Sequence, residues 1–172
     1  MSEREETPAP VLVLGLGNLL LRDDAVGLRL LALLEERHGA DARLQFVDGG
    51  TQGLALVSLL AGRRAVLMLD AVRCGDPAGT VQHVVDAFDR SPRGHAGAAG
   101  GAHQLNAGDL LLATQLLGSV PGRATVVGIE PAIVRTGIGL TAAVEAALPE
   151  ALALAERVLA SLLATEGAVC TN

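Results

Sequence analysis

Three polar side chains stand at the ends of apolar segments, and their types suit a metal ion. Asp24 opens a segment with helical spacing, Asp70 ends a short apolar run, and His103 closes a stretch rich in Gly and Ala. Two carboxylates and one imidazole suit a borderline divalent ion with open coordination positions. Alone, Asp70 is equally typical of a turn and His103 of a surface or capping role. Because an α/β sheet places such positions along one edge, we predict a shared metal site.

The elements that must position these residues alternate between strand-like and helix-like patterns. Short apolar runs predict strands at 11–15, 44–47, 65–69, 80–85 and 124–129. Helical spacing follows at 26–34, 54–60, 106–117 and 141–163. Continuous apolar runs are typical of strands that helices cover on both faces of a parallel sheet. Residues 71–79 are too few for a parallel crossover, so the fourth strand is predicted to run antiparallel to the third, in a mixed sheet.

Helix ends carry three further expectations. Asp23 is expected to cap the first helix, because aspartate is favoured at the N-cap and in the first turn. Either Asn106 or Asp109 is expected to start the third helix. Pro149 is expected near the start of the main segment of the last helix, where its missing N–H does no harm. Residues 91–101 are expected to form a flexible loop before the third helix.

Length and hydropathy predict one globular domain. The chain has 172 residues, of which 50% are hydrophobic, so it can bury a full core. We predict a single α/β domain over residues 11–163, with an N-terminal tail at 1–10 and a C-terminal tail at 164–172. There is neither an apolar run of membrane-spanning length nor a signal sequence at the start. We therefore expect a soluble cytoplasmic protein without membrane insertion.

Missing residue types exclude several functions. The chain contains no lysine, which excludes a P-loop lysine and a Schiff-base lysine. It also lacks Trp and Tyr and has a formal net charge of -6, so a nucleic-acid partner is not expected. Cys74 and Cys170 have no C-x-x-C spacing, which argues against a disulfide framework or a thiolate zinc site. We assign no role to Cys74, His38, His83 or His95.

The segment 15–18, Gly-Leu-Gly-Asn, begins like a dinucleotide-binding fingerprint. The third glycine of that fingerprint would fall at Leu20, and Asp23 and Asp24 would repel a phosphate at the start of the helix. A nucleotide is therefore not expected. Gly15 and Gly17 instead allow a sharp turn and leave space above the end of the first strand.

Five motifs occur in one order along the chain: Gly15–Asn18 with Asp23, Asp24 and Gly27; Asp48–Thr51; Asp70 and Ala71 with Pro77, Gly79 and Thr80; His103–Leu105 before Asp109–Leu111; and Gly128–Pro131. In order and spacing they resemble the hydrogenase maturation endopeptidases, and the resemblance extends over most of the chain. Ala25 departs from the pattern, because many members of that family have glycine there.

The resemblance implies a fold, an activity and a set of site residues. The fold is a three-layer α/β/α sandwich with a five-stranded mixed sheet. The activity is cytoplasmic removal of the C-terminal peptide from the large-subunit precursor of a nickel-iron hydrogenase. Asp24, Asp70 and His103 match the metal-contacting residues of the family. The segment Asp48, Gly49, Gly50 and Thr51 matches one that helps to recognise the substrate.

We therefore hypothesise metal-assisted peptide hydrolysis in which nickel arrives with the precursor. Asp24, Asp70 and His103 would complete the nickel coordination as catalytic residues, and the isolated protein would hold no tightly bound metal. The metal would polarise the scissile carbonyl or lower the pKa of a bound water. Alternatively, Asp24 or Asp70 would act as a general base, and the sequence leaves this choice open. The rival hypothesis is a non-catalytic nickel-site chaperone or checkpoint that binds the same precursor.

Overall fold

Five strands form one mixed sheet in the computed structural model, which describes residues 9–85, 87 and 106–164. The strands are β1 (Val11–Leu16), β2 (Leu44–Gly50), β3 (Ala65–Ala71), β4 (Val81–Val84) and β5 (Ala124–Ile129). Their order in the sheet is β2-β1-β3-β5-β4. The first three strands and β5 run parallel, whereas β4 runs antiparallel to its neighbour β5. The predicted mixed sheet is confirmed, with β4 at the edge beyond β5 and not beside β3.

Four α-helices of the described residues flank the sheet. They are α1 (Val26–His38), α2 (Val57–Leu60), α3 (Ala107–Leu116) and α4 (Ala142–Ala164). Two short 3-10 helices, Arg22–Ala25 and Gly53–Leu56, lead directly into α1 and α2. None of the helices in the described part of the chain is long and apolar enough to cross a membrane.

Two apolar cores, one on each face of the sheet, give the molecule three layers. Val11 and Val13 of β1 pack in the core that contains the buried sides of α1 and α4. Leu12 and Leu14, the alternate residues of the same strand, pack in the core with α2 and α3. Because successive side chains of a strand point to opposite faces, an apolar run serves both cores at once. The α/β/α sandwich is confirmed.

The start of α3 agrees with one of the two predicted positions. Asn106 is the N-cap, and its side chain accepts a hydrogen bond from the backbone N–H of Asp109 at 3.0 Å. The Asp109 carboxylate in turn accepts from the Asn106 N–H, so the two residues form a capping box. Both candidate residues therefore take part in one cap.

The prediction for Pro149 is wrong. The last helix begins at Ala142, so Pro149 lies in its interior and not near the start of a segment. Buried residues continue before and after the proline, for example Val144, Leu148 and Leu152. Proline removes one N–H donor of the helix, but the continuous apolar face holds the two parts together on the sheet.

We call the edge at which β1, β2, β3 and β5 end the carboxyl edge, and the opposite one the amino edge. Parallel strands place all four carboxyl ends on the same side, so the loops that follow them meet there. Residues 17–25, 51–52 and 130–141 are such connections, and the first of them includes the 3-10 helix Arg22–Ala25. The predicted flexible loop at 91–101 and His103 lie outside the described residues.

Candidate active site

Asp70 is a buried carboxylate at the carboxyl end of β3, where the sequence predicted it. Its side chain is only 5% exposed. One oxygen accepts the N–H of Ala71 at 2.8 Å, and the other accepts the N–H of Ala107, the first residue of α3, at 2.9 Å. Asp70 therefore joins the end of a strand to the start of a helix. Within the described part of the chain, each of its oxygens accepts one hydrogen bond and has a lone pair for a second partner.

Asp24 lies in the 3-10 helix between β1 and α1 and is half-buried. Two glycines allow this segment to approach the strands closely. A Cβ on Gly17 would come within 1.9 Å of the carbonyl oxygen of Asp24, and Gly17 itself has a φ of 126°. A Cβ on Gly27 would lie 2.3 Å from the carbonyl oxygens of Leu16 and Leu69. The start of α1 therefore sits directly over the ends of β1 and β3.

The two predicted aspartates are electrostatically coupled. Burial is the largest cause that raises the pKa of Asp70, and the charges of Asp24 and Asp109 add to it. Together they raise the pKa to about 7, although the N–H groups of Ala107 and Ala71 lower it. Two carboxylates in one crevice disfavour double ionisation unless a proton or a cation lies near them. The structure thus places Asp24 and Asp70 at the same edge of the sheet, with the charge of Asp24 acting on Asp70. His103, the third predicted member, lies outside the described residues.

The predicted recognition segment forms the carboxyl end of β2. Asp48 and Thr51 are exposed there, whereas Gly49 is buried. A Cβ on Gly49 would press within about 3 Å of leucine side chains in the core, and Gly50 has a φ of 43°. The glycines therefore serve packing and turning, and the polar side chains face outward. Asp48 and Leu69 pair with Gly15 of β1 from its two sides. At the usual strand spacing, their backbones are therefore about 10 Å apart.

The prediction that Asp23 caps the first helix is wrong. Neither the 3-10 helix nor α1 has a side-chain cap. Asp23 is instead completely buried and accepts four hydrogen bonds from the loop after β5. Its donors are the N–H groups of Ala132 and Ile133, both at 2.9 Å, and the N–H and hydroxyl of Thr141, at 2.6 and 2.8 Å. We call this arrangement the Asp23 clamp.

The Asp23 clamp escaped the sequence analysis because its partners are distant in the chain. Thr141 lies 118 residues after Asp23. Burial alone raises the pKa of a carboxyl group, yet these four hydrogen bonds together hold the pKa of Asp23 below its ordinary value. The pair of aspartates at 23 and 24 is thus divided between two roles. The first residue fixes the loops, and the charge of the second raises the pKa of Asp70.

Cys74 lies near two further acids, Asp76 and Glu130, but its chemistry does not suggest a nucleophile. One ligand atom from each of the three lies within 4.8 Å of the others. Burial and the charges of Glu130 and Asp76 raise the pKa of the Cys74 thiol, so the thiolate is disfavoured. The carboxylates also have partners, because Glu130 accepts the N–H of Cys74 and Asp76 accepts the side-chain amide of Gln82.

Known proteins are similar to this chain in sequence and in fold. A family model described as HycI, hydrogenase maturation protease, matches residues 28–158, about three quarters of the chain. The hydrogenase 2 maturation protease of Escherichia coli strain K12 is 37% identical over 153 residues, which are 88% of this chain and 90% of that protein. The hydrogenase expression/formation protein HupD of Rhodobacter capsulatus is 34% identical over 168 residues, 96% of this chain and 79% of the relative.

Solved structures of hydrogenase maturation proteases are similar to this chain in fold. The hydrogenase maturating endopeptidase HybD from E. coli superposes with a TM-score of 0.72 at 34% identity, covering 91% of this chain and 93% of that one. The [NiFe] hydrogenase maturation protease HybD from Thermococcus kodakarensis gives a TM-score of 0.61 at 25% identity, covering 86% and 97%. The chain therefore belongs to the hydrogenase maturation protease family, whose members are hydrolases.

Proposed function

We propose that this protein removes the C-terminal peptide from the large-subunit precursor of a nickel-iron hydrogenase, after nickel has been inserted. Membership of the protease family supports the endopeptidase activity. One observation about the site carries the rest of the proposal. The half-buried Asp24 and the buried Asp70 follow β1 and end β3 at the carboxyl edge, and the charge of Asp24 helps to raise the pKa of Asp70. A bound cation would favour the ionised form of Asp70.

The donor set fits a divalent ion that another molecule delivers. Each oxygen of Asp70 retains capacity for a second partner beside its backbone N–H. His103 is the proposed third ligand. It lies four residues before Ala107, whose N–H binds Asp70, so an extended chain spans at most about 14 Å between their Cα atoms. Because the site has only one imidazole and no thiolate, it is proposed to hold free metal weakly. Nickel that the precursor already binds would bring the rest of its coordination shell.

The proposed reaction is the addition of water across one peptide bond. The C–N bond breaks, a carboxylate forms on one product, and the proton from water goes to the leaving amine. When Asp70 does not coordinate the nickel, it is the favoured proton acceptor, because its pKa of about 7 suits a general base at neutral pH. Asp24 would then hold the metal side of the site. When nickel is bound, it would supply Lewis-acid polarisation of the carbonyl or of the water.

The exposed side chains of Asp48 and Thr51 are proposed to orient the precursor on β2. They lie at the same edge as the two aspartates, and the backbone of Asp48 is about 10 Å from that of Leu69, the residue before Asp70. That distance suits contact with a bound polypeptide better than coordination of the same ion. The buried Gly49 and the turn at Gly50 would hold the two polar residues in place.

The proposal is tested by incubating nickel-loaded and nickel-free precursor with the protein and following the precursor length by electrophoresis. We expect shortening of the nickel-loaded form only, with mass spectrometry identifying the released peptide. The protein, purified without chelator, should contain much less than one metal ion per chain. Binding of the precursor without any shortening would support the chaperone or checkpoint instead. Equal cleavage of both forms, together with chelator-resistant zinc, would indicate a self-contained metalloprotease.

The assignment of His103 has a matched control in the same part of the sequence. We expect His103→Ala to abolish cleavage, because it removes the proposed imidazole ligand. His95→Ala should cleave at the wild-type rate, since no role is assigned to His95. Equal rates in both variants would remove His103 from the site.

A further inference from the structure

An exposed aliphatic surface adjoins the candidate active site. It comprises Leu19 and Leu20, which follow β1, and Ile138, which follows β5; they are 60%, 61% and 82% exposed. We call these three side chains the aliphatic platform. The two segments are joined by a parallel bridge between Leu21 and Gly137. The N–H of Gly137 donates to the carbonyl of Leu20 at 2.9 Å, so the two parts of the platform are adjacent at the carboxyl edge.

The backbone around the platform is held firmly. The N–H of Arg22 donates to the carbonyl of Gly137 at 3.0 Å, and the Asp23 clamp fixes the same pair of loops. Arg22 has a φ of 52°, the only positive φ among the non-glycine residues that the structure describes. Backbone strain of this kind persists where the surrounding structure over-determines it. The platform is therefore pre-organised, and a ligand would not have to order it.

The platform is continuous with the proposed catalytic residues. The N–H of Asp24 donates to the carbonyl of Leu21 at 3.3 Å, so one turn of backbone links the platform to Asp24. Any polypeptide that places a peptide bond between Asp24 and Asp70 must extend beyond the crevice on at least one side. The platform is a fixed aliphatic surface on one of those sides, with the Arg22 side chain beside it at Gly137. Its aliphatic side chains match apolar residues of a substrate.

We infer that the aliphatic platform binds apolar side chains of the precursor segment next to the scissile bond, and this inference rests on the proposed function. The interaction is made with the substrate before and during reaction alike. It should therefore lower KM and leave kcat nearly unchanged.

The test is cleavage of nickel-loaded precursor by the full-length double variant Leu20→Ser with Ile138→Ser. We expect KM to rise by about tenfold or more and kcat to stay within about twofold of wild type. The matched control is Leu116→Ser. Leu116 is 79% exposed, but it ends α3, whose following loop returns to Arg63 and Arg64 at the amino edge. The control should keep both constants. The single variants are measured alongside, with thermal unfolding of each, so that a poorly folded double variant does not decide the result.

The outcomes separate the two proposals. If wild-type protein leaves the precursor uncut, the proposed function fails and the platform assignment fails with it. If wild-type protein cleaves and the folded variants keep the wild-type KM, the platform assignment alone is overturned. Sedimentation of wild type and variants tests the alternative that a second copy of this chain binds the aliphatic platform. Loss of self-association in the variants, with unchanged cleavage, would also overturn the inference.

Discussion

Two buried aspartates at the carboxyl edge, Asp23 and Asp70, have pKa values that are shifted in opposite directions. Asp23 accepts four hydrogen bonds, three of them from backbone N–H groups. Its pKa is held below the ordinary value in spite of burial. Asp70 accepts two backbone N–H groups and faces the charge of Asp24, and its pKa is raised to about 7. Burial of a carboxylate therefore does not by itself indicate chemistry.

The difference lies in how many donors each carboxylate receives. A carboxylate has about four acceptor positions. The structure fills those of Asp23 with protein donors, which makes it a structural anion at the junction of two loops. Among residues 9–85, 87 and 106–164, only two donors reach Asp70, which leaves acceptor positions for a proton, a water molecule or a metal ion. A buried acid with unfilled positions, beside a second acid, is the better candidate for catalysis.

Removal of the Asp23 carboxylate should have the largest effect, and that effect is on the free energy of unfolding. Asp23→Ala should lower the free energy of unfolding by about 3 to 5 kcal/mol, because three backbone N–H groups and one hydroxyl would lose a charged acceptor inside the protein. Urea unfolding followed by circular dichroism measures this change. The control is Thr141→Val, which removes one of the four bonds and should cost about 1 kcal/mol. Equal losses of stability in both variants would mean that the other three hydrogen bonds of Asp23 do not stabilise the fold.

The pH dependence of stability should carry opposite signs for the two aspartates. The lowered pKa of Asp23 gives stability that is present above about pH 3.8 and is lost as the pH falls through its folded value. The raised pKa of Asp70 means that the folded protein keeps a proton that the unfolded chain releases. Stability should therefore decrease from about pH 4 to about pH 7, by at most about 1.4 kcal/mol per unit, and level off above.

Urea unfolding of wild type and Asp70→Asn between pH 3 and pH 8 measures these signs. Asp70→Asn should lose the decrease toward neutral pH and keep the loss at acid pH. A variant curve parallel to that of wild type throughout would contradict the assignment of the neutral-pH titration to Asp70.

The smallest effect is expected at Asp48, an exposed acid at the same edge. Asp48→Ala should leave the free energy of unfolding within about 0.5 kcal/mol of wild type, because an exposed side chain contributes little. Cleavage should become slower or misplaced, since a substrate-orienting contact is lost at a distance from the reacting atoms. Mass spectrometry of the products detects misplacement. Loss of nickel contact in this variant would instead make Asp48 a ligand.

The sequence predicted the strands well because their burial is visible in it. β5 has the bounds of its apolar run, Ala124–Ile129, and all six of its residues are buried. A strand covered on both faces needs apolar residues throughout, and few other elements have that pattern. The same pattern predicts the positions of Asp24 and Asp70, because Asp24 follows one apolar strand and Asp70 ends another, and parallel strands end at one edge.

The sequence did not predict the features that depend on distant contacts. Asp23 has the local pattern of an N-cap, but Ala132, Ile133 and Thr141 reach it from the other end of the chain. Pro149 has the local pattern of a helix start, but packing on the sheet extends α4 seven residues before it. In both cases tertiary contacts outweigh a local preference of about 1 to 3 kcal/mol. The role of His103 stays a prediction.

The central claim is that Asp70 takes part in the chemistry, and its isosteric replacement tests this most directly. The measurement is the rate of shortening of nickel-loaded precursor by wild type, Asp70→Asn and Asp109→Asn. Asp109 is the matched control, because it lies in the capping box of the same helix and also raises the pKa of Asp70. We predict that Asp70→Asn lowers the rate by about 100-fold or more with its fold retained, and that Asp109→Asn stays within about threefold of wild type. A folded Asp70→Asn variant that cleaves as fast as wild type would contradict the account.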